Sequence, residues 1–493
     1  MSHQMSREFV ELVKAVGDCK SKQEEDKIML KEVAVLRMRL SEKGASARMK
    51  ELCVRMMYCE MLGHPVEFGY IHAVNMTQHV SLLEKKVGYL AACLFLEEGS
   101  ELLILLVNTL QRDLRSHNTW EVCAALSAVT RLIGPETIPA VVTHVQDCVS
   151  HNSENVRKKA VMALHRFHQK APDTVPDHMA HFKRALCDRD PSVMSAALCV
   201  LHDLAKKSPP LYHSMVPSLV SIIKQVVEHR LPREFDYHRM PAPWIQIRLL
   251  KLLALLGRAN QKGSEEMYEV LKDVMKRADV GTSIGYAILY ECVVTITKIY
   301  PHAGLLELAA ASTSRLITSE NHNLRYIGVD ALSAIVSVNP KYAAEHQMVA
   351  IDCLEDGDET LRSKTLDLLY KMTTPSNVEV VVGRMMFYLT PSIDEYHRRD
   401  LAHKISSLAE KYAPSNGWFI RTMNDVFEKA GGLADTDAAH NLMRLVAEGT
   451  GEDEAADTEL RTYAVRSYAD MMTKPNLPDL LVQVGVWVLG EYG

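Results

Sequence analysis

The sequence predicts an all-α fold, a HEAT/armadillo-like α-solenoid built as a right-handed superhelix of helix pairs. Three observations predict it. Glycine (23) and proline (19) are scarce for 493 residues, so regular elements are long and turns few. Apolar or small residues recur at offsets 0, 4, 8 and 11, which is the spacing of one helix face. These stripes restart at intervals of 36–52 residues, leaving room for one further helix in each unit.

The elements follow in chain order. Phe9, Leu12, Val13 and Val16 make a first stripe, and Met29, Val33, Leu36 and Leu40 a second. The regular repeat then runs through Val156, Ala160, Leu164, Phe167; Val193, Ala197, Leu201, Leu204; and Ile245, Leu249, Leu253, Leu256. It continues with Ile288, Cys292, Ile296, Ile299; Leu324, Gly328, Leu332, Ile335; Leu361, Thr365, Leu369, Met372; and Leu401, Ile405, Ala409, Tyr412. Acidic turns precede two of these helices, Asp188-Arg189-Asp190-Pro191 and Asp356-Gly357-Asp358, where carboxylates cap the helix and suit its positive end. The longest interval contains Glu228–Pro243, rich in proline and aromatics, which reads as an irregular insertion on one face. Gly449–Asp457 is small and acidic and reads as a solvated loop open to proteolysis. A helix pair cannot bury its stripe alone; stacking buries it, so residues 1–493 are expected to form one continuous array.

Composition narrows the function. Apolar residues at 47% and charged residues at 24% are ordinary globular values, which excludes a chain disordered throughout. A net charge of −6 argues against binding the phosphate backbone of nucleic acid, which needs a basic surface. The ten cysteines include no C-x-x-C pair, which suits a reducing compartment. Glu8 and Glu11 stand where a signal peptide needs an apolar core, and the runs Ala91–Leu96 and Leu102–Val107 are too short to span a bilayer. A soluble cytosolic protein is expected, working at membranes only by recruitment.

The motifs with chemical content are weak. Gly281-Thr282-Ser283-Ile284-Gly285 matches the G-x-S-x-G nucleophile elbow, but that elbow needs a preceding strand, and Met267–Arg277 reads as an amphipathic helix. The bland reading, an inter-helix loop with a serine cap, is preferred over a hydrolase using Ser283. His165, His168, His178 and His181 have metal-ligand spacing, yet no cysteine or carboxylate completes an evident set, and solvated helix faces are the better reading. No Walker A or dinucleotide fingerprint occurs. The expectation is therefore no catalytic residue, no cofactor, no metal and no enzymatic activity. Lys85-Lys86 and Arg157-Lys158-Lys159 are short basic runs that suit wet helix faces better than lipid headgroups.

Specific strings add a family resemblance. LGHPVEFGYIHAVN (62–75), KKVGYL (85–90), NTLQRDL (108–114), PAPW (241–244), AILYE (287–291), LRY (324–326), AEKYAP (409–414) and LGEYG (489–493) occur in this order. Together they resemble the trunk of a large adaptin from a heterotetrameric adaptor complex. MYCEMLG (57–63), ETIPAV (136–141), LHRFH (164–168), LCDRDPSVM (186–194), residues 224–244 and WFIRTMNDVF (418–427) resemble the epsilon type of the fourth complex more than gamma or alpha types. In that family the trunk continues past the last matched string and is followed by a hinge and an appendage.

The resemblance implies a non-enzymatic coat subunit without cofactor. Its implied partners are beta-type, mu and sigma subunits, an Arf-family GTPase in its GTP form, and the cytosolic tails of membrane cargo. It implies peripheral association with the trans-Golgi network. Positions matching the GTPase contacts of related trunks are Ile71, Val74 and Leu106, and a weak basic or lipid contact is expected at Arg48, Lys50, Lys85 and Lys86. Two departures matter. Gly17 stands where alpha and gamma types carry an arginine that helps read dileucine signals, and Arg48-Met49-Lys50-Glu51 is less basic than the alpha-type phosphoinositide run. The alternative readings are a gamma-type adaptin of the first, clathrin-associated complex, or an unrelated HEAT-repeat scaffold such as a nuclear import receptor or phosphatase scaffold.

Overall fold

The computed structural model describes residues 6–42, 44–175, 178–390, 394–449 and 454–493, with only the backbone of His178. In chain order the helices are α1 (Arg7–Gly17), α2 (Lys22–Leu40), α3 (Met49–Met61), α4 (Tyr70–Met76), α5 (Leu82–Phe95), α6 (Leu102–Leu114), α7 (Thr119–Leu132), α8 (Ile138–Cys148) and α9 (Glu154–Lys170). They continue as α10 (His178–Leu186), α11 (Pro191–Lys207), α12 (Val216–Val227), α13 (Pro243–Gly257), α14 (Gln261–Ala278), α15 (Ser283–Lys298), α16 (Ala303–Ile317) and α17 (His322–Val338). The rest are α18 (Lys341–Asp352), α19 (Glu359–Met372), α20 (Val378–Leu389), α21 (Glu395–Tyr412), α22 (Asn416–Ala430), α23 (Thr436–Glu448), α24 (Glu454–Met471) and α25 (Asp479–Tyr492). Among the described residues there is no β-strand, and no helix is long and apolar enough to cross a membrane.

Contacts divide the chain into two compact units. The first comprises Met1–Ser214, Glu228–Tyr237 and Trp244–Leu252; the second comprises Met215–Val227, His238–Pro243 and Leu253–Gly493. In the first, α3, α5, α7, α9 and α11 lie side by side in one layer, and α4, α6 and α8 form the layer across the core. In the second, α15, α17, α19 and α21 form one layer, covered by α14, α16, α18 and α20, and α22–α25 pack together as a final group. Each unit is thus a stack of helix pairs, the arrangement the stripes predict.

The stripes explain the packing. Val156, Ala160, Leu164 and Phe167 of α9 are fully buried, as are Thr365 and Leu369 of α19. Gly328 of α17 shows why a small residue belongs in the pattern: a Cβ there would meet the backbone nitrogen of Ile317 at 2.8 Å. Helix starts follow capping rules: Asp190 accepts from the Ser192 N–H at 2.8 Å, and Asp358 from the Leu361 N–H at 2.9 Å. The first stripe is the weak one, since of α1 only Phe9 is buried and Val13 stays exposed.

Two details differ from the sequence reading, and a third agrees with it. Of Gly449–Asp457, residues 450–453 lie outside the described set, and Glu454–Asp457 are the first turn of α24 rather than loop. The acidic residues favour the positive helix end, which a composition argument misses. The cap at the start of α15 is Thr282, whose hydroxyl accepts from the Gly285 N–H at 3.2 Å; Ser283 is already the first helical residue. The Glu228–Pro243 stretch is irregular as expected, with one 3₁₀ turn at Arg233–Phe235 and left-handed backbone at His229, His238, Arg239 and Ala242.

Candidate partner-docking surface

The first unit carries an open apolar groove along α5, α7 and α9. The sequence of α5 dictates its two sides. Lys85 and Lys86 are neighbours in the chain but about 100° apart around the helix, so they cannot share a face. Lys85 turns inward, and its ammonium bonds Asp113 of α6 at 3.0 Å and Glu121 of α7 at 3.1 Å. Tyr89 donates its hydroxyl to the other oxygen of Asp113 at 2.7 Å. Burial pushes the Tyr89 phenol far up, and the Ser116 hydroxyl holds the Glu121 carboxyl below its usual range. Two carboxylates around one ammonium lock α5 to α6 and α7. Gly88, one helical turn on, lets α5 approach the end of α4: a Cβ there would sit 2.6 Å from the Thr77 nitrogen.

The outward side of α5 is what forms the groove. Leu83 and Leu90, two turns apart, are half exposed, and Trp120 of α7 is 68% exposed. They line a cavity of about 380 Å³ with Lys86, Cys93, Cys123 and Lys159. Burial pushes the Cys93 thiol up to about 11, so that thiol stays protonated and inert at neutral pH. A second, more polar cavity of about 650 Å³ shares Ser127 and Lys159 and extends across α7, α9 and α11 past Asn155, Lys158 and Ser195. The Lys159 ammonium donates to the Ser127 hydroxyl at 2.6 Å on the wall common to both. A contiguous exposed apolar patch, unlike a single exposed leucine, marks a surface for a partner.

The residues singled out from the sequence are dispersed. Val74 and Leu106 are fully buried, in α4 and α6, so they belong to the core; as direct contacts they are corrected by their burial. Ile71 of α4 is 36% exposed. On α6, which packs on α4, the exposed aliphatics are Ile104 and Leu105, out of phase with the buried Leu103, Leu106 and Leu110 stripe. That phase was the available signal. Lys85 is internal and cannot reach a headgroup, whereas Lys86 lies on the groove. Arg48 is exposed but faces Glu51 at 3.5 Å, and Lys50 is half-buried. Gly17 ends α1 with open space where a side chain would go. The G-x-S-x-G string begins in the turn after α14 and ends in the first turn of α15, without the strand a nucleophile elbow requires. His165 packs edge-on to Phe182 and lies 3.3 Å from Asp203; burial lowers its pKa, and the side chain of His178 lies outside the described residues.

Comparison with known proteins places this surface in context. The chain matches the family model "Adaptin N terminal region" over residues 25–493. It is 52% identical over 490 residues to "AP-4 complex subunit epsilon" of Arabidopsis thaliana, covering 99% of this chain and 52% of the relative. It is 46% identical over 484 residues to "AP-4 complex subunit epsilon-1" of Homo sapiens, covering 98% and 42%. The "AP-1 complex subunit gamma" of Dictyostelium discoideum is 30% identical over 492 residues, covering 99% and 54%. The chain therefore spans about half the length of the curated relatives it matches. Its fold is similar to a chain of a homology model of the full-length AP-3 complex in an intermediate open conformation, with a TM-score of 0.58, 22% identity, and coverage of 90% and 80%. Importin beta shows a like fold at a TM-score of 0.57 and 11% identity, covering 98% and 65%, so helical stacking by itself does not separate coat subunit from import receptor. The sequence does separate them: the chain belongs to the adaptin family, and its similarity is to the epsilon type.

Proposed function

We propose that this chain serves as a large subunit of a heterotetrameric adaptor complex of vesicle coats, a non-enzymatic scaffold in intracellular protein transport. Its partners in this reading are beta-type, mu and sigma subunits. A GTP-loaded Arf-family GTPase recruits the complex to the cytosolic face of trans-Golgi membranes, where it sorts cargo by its cytosolic tails. The observation that carries the reading is the α5–α7–α9 groove, an apolar floor with Lys86 and Lys159 on its walls, on a chain of the adaptin family. We assign this groove to the small sigma-type subunit. Leu90 and Trp120 are its anchors, since a large apolar side chain at the centre of an interface carries most of the binding energy.

The test is co-purification. The native chain is expected to recover sigma, mu and beta-type subunits at equal stoichiometry. Trp120→Asp with Leu90→Asp is expected to weaken the small subunit at least about tenfold, with unchanged helicity by circular dichroism. Equal recovery by the double variant would overturn the groove assignment, and failure of the native chain to recover any of the three would overturn the adaptor reading. For the GTPase we assign Ile71 together with Ile104 of the adjoining helix. Charge at both is expected to abolish GTP-dependent membrane recruitment while leaving the tetramer assembled.

A further inference from the structure

We propose that Glu25, Asp26 and His64 form a binding site for one divalent transition-metal cation of the zinc class. The three residues come from the first turns of α2 and the corner after α3, and one ligand atom from each lies within 4.8 Å of the other two. They are the one such group of three among the described residues. An imidazole nitrogen with two carboxylates is a donor set suited to zinc and its first-row neighbours rather than to calcium or magnesium, which prefer oxygen throughout.

Three observations make this more than an acidic helix start. First, His64 Nε2 is sealed from solvent and has no hydrogen-bond partner. A buried ring nitrogen without a partner is costly and calls for one. Second, its distance to the Asp26 carboxylate oxygen, 3.4 Å, is too long for a hydrogen bond of good geometry. It is close to the edge of a tetrahedron whose metal bonds are about 2.0–2.1 Å long. Third, the imidazole is held in place by its backbone. Gly63, at φ 85°, ends α3 in the left-handed region, with the Gly63 N–H donating to the Glu60 carbonyl at 3.0 Å and the His64 N–H to the Cys59 carbonyl at 3.0 Å. That pair of bonds is the Schellman closure of a helix.

A cation already bridges the two carboxylates. The Lys22 ammonium sits 2.6 Å from Glu25 and 3.4 Å from Asp26, on a side chain that is 62% exposed. An exposed lysine is released to solvent at little cost. A divalent ion replaces one charge by two and uses the imidazole lone pair that Lys22 does not reach. Glu25 then closes by at most about 1.4 Å from the present 4.8 Å spread, a movement within the reach of its flexible side chain. The bound ion would staple α2 to the end of α3 and, by linkage, raise the stability of the first unit.

The experiment uses the full chain, freed of metal with a chelator and dialysed, and zinc chloride as the probe. Calorimetry is expected to find one equivalent bound, with a higher melting temperature in zinc. Loss of a direct ligand is expected to cost at least about tenfold in affinity, the scale on which even outer partners act. Both His64→Ala and Asp26→Asn should show that loss, and Lys22→Ala should bind equally or more tightly. Cobalt(II) should give visible d–d bands in the native chain that both ligand variants lose. Unchanged zinc affinity in Asp26→Asn, which keeps size and fold, would overturn the proposal, as would the absence of a saturable equivalent in the native chain. The chain has 21 histidines, so binding that survives His64→Ala assigns the ion elsewhere and counts against this site.

Discussion

The corner before α11 and the corner before α19 belong to different units, yet they are built alike. In each, an aspartate accepts the N–H of the residue two along: Asp188 from Asp190 at 2.9 Å, Asp356 from Asp358 at 2.8 Å. In each, the second aspartate caps the next helix. In each, an arginine 31 residues upstream pairs with the first aspartate. The difference is in the fork. Arg157 grips Asp188 with two bonds of 2.8 Å and also donates to the carbonyls of His151 and Asn152 at 2.9 Å. Arg325 reaches Asp356 through one nitrogen at 2.6 Å and leaves its buried Nε without a partner, while His322 shares the same oxygen at 2.9 Å. Burial would raise the Asp188 pKa, but the Arg157 guanidinium wins and holds it low; for Asp356 the Asp358 backbone N–H is the largest cause of a lowered pKa. One repeat geometry thus supports two grades of clasp. The lesson is that the backbone corner sets the motif and the side-chain fork sets its strength.

The largest expected effect lies beneath both clasps. Phe167→Ala removes a fully buried ring from α9 and should cost about 3–5 kcal/mol, read by urea unfolding. If the clasp outweighed this, the stack would be a polar rather than an apolar construction. Next comes Arg157→Ala, which leaves Asp188, 14% exposed, without its cation, at a cost of about 3 kcal/mol. Arg157→Lys should recover little, because an ammonium cannot make the fork. The corresponding change at Arg325 should cost less, and equal losses would erase the distinction drawn between the corners. Asp190→Ala and Asp358→Ala should each cost about 1 kcal/mol, since each removes the side-chain acceptor of one helix-start N–H.

The stacked pairs were legible because their stripes repeat: the seven stripes fall on α9, α11, α13, α15, α17, α19 and α21. The capping aspartates were legible because capping is local. What was hidden depends on phase or on distance in the chain. Lys85 and Lys86 read as one basic run until the helix separates them into core and groove. Val74 and Leu106 read as surface by family resemblance, but their helix phase places them inside. Trp120, the groove's most exposed large apolar side chain, carries no pattern of its own. His64 meets Glu25 and Asp26 only because α2 and α3 are antiparallel neighbours, and no spacing rule joins residues that far apart.

The smallest effect concerns α1, the first helix of the first unit. Helix α1 buries Phe9 alone, edge-on to Tyr58 at 5.5 Å, and is otherwise pinned by Glu8, whose carboxylate meets Arg39 at 2.6 Å and Arg55 at 3.0 Å. The Arg39 and then the Arg55 hydrogen bonds lower the Glu8 pKa from 4.5 to about 2. A pKa lowered by folding means the ionised form favours the folded state. The contribution is present in full above about 4.5 and is lost as pH falls towards 2. Glu8 is half exposed, so solvent screening keeps the gain at about 1 kcal/mol or less. Hydrogen exchange is the suitable measurement, because it reads the helix rather than the whole fold. The α1 amides should lose protection across that pH window, and Glu8→Gln should show the loss at neutral pH with no further dependence on acid in that range. If α1 in Glu8→Gln is protected as in the native chain, Phe9 alone holds it, and the N-terminal end is clasped as firmly as the corners without needing a charge.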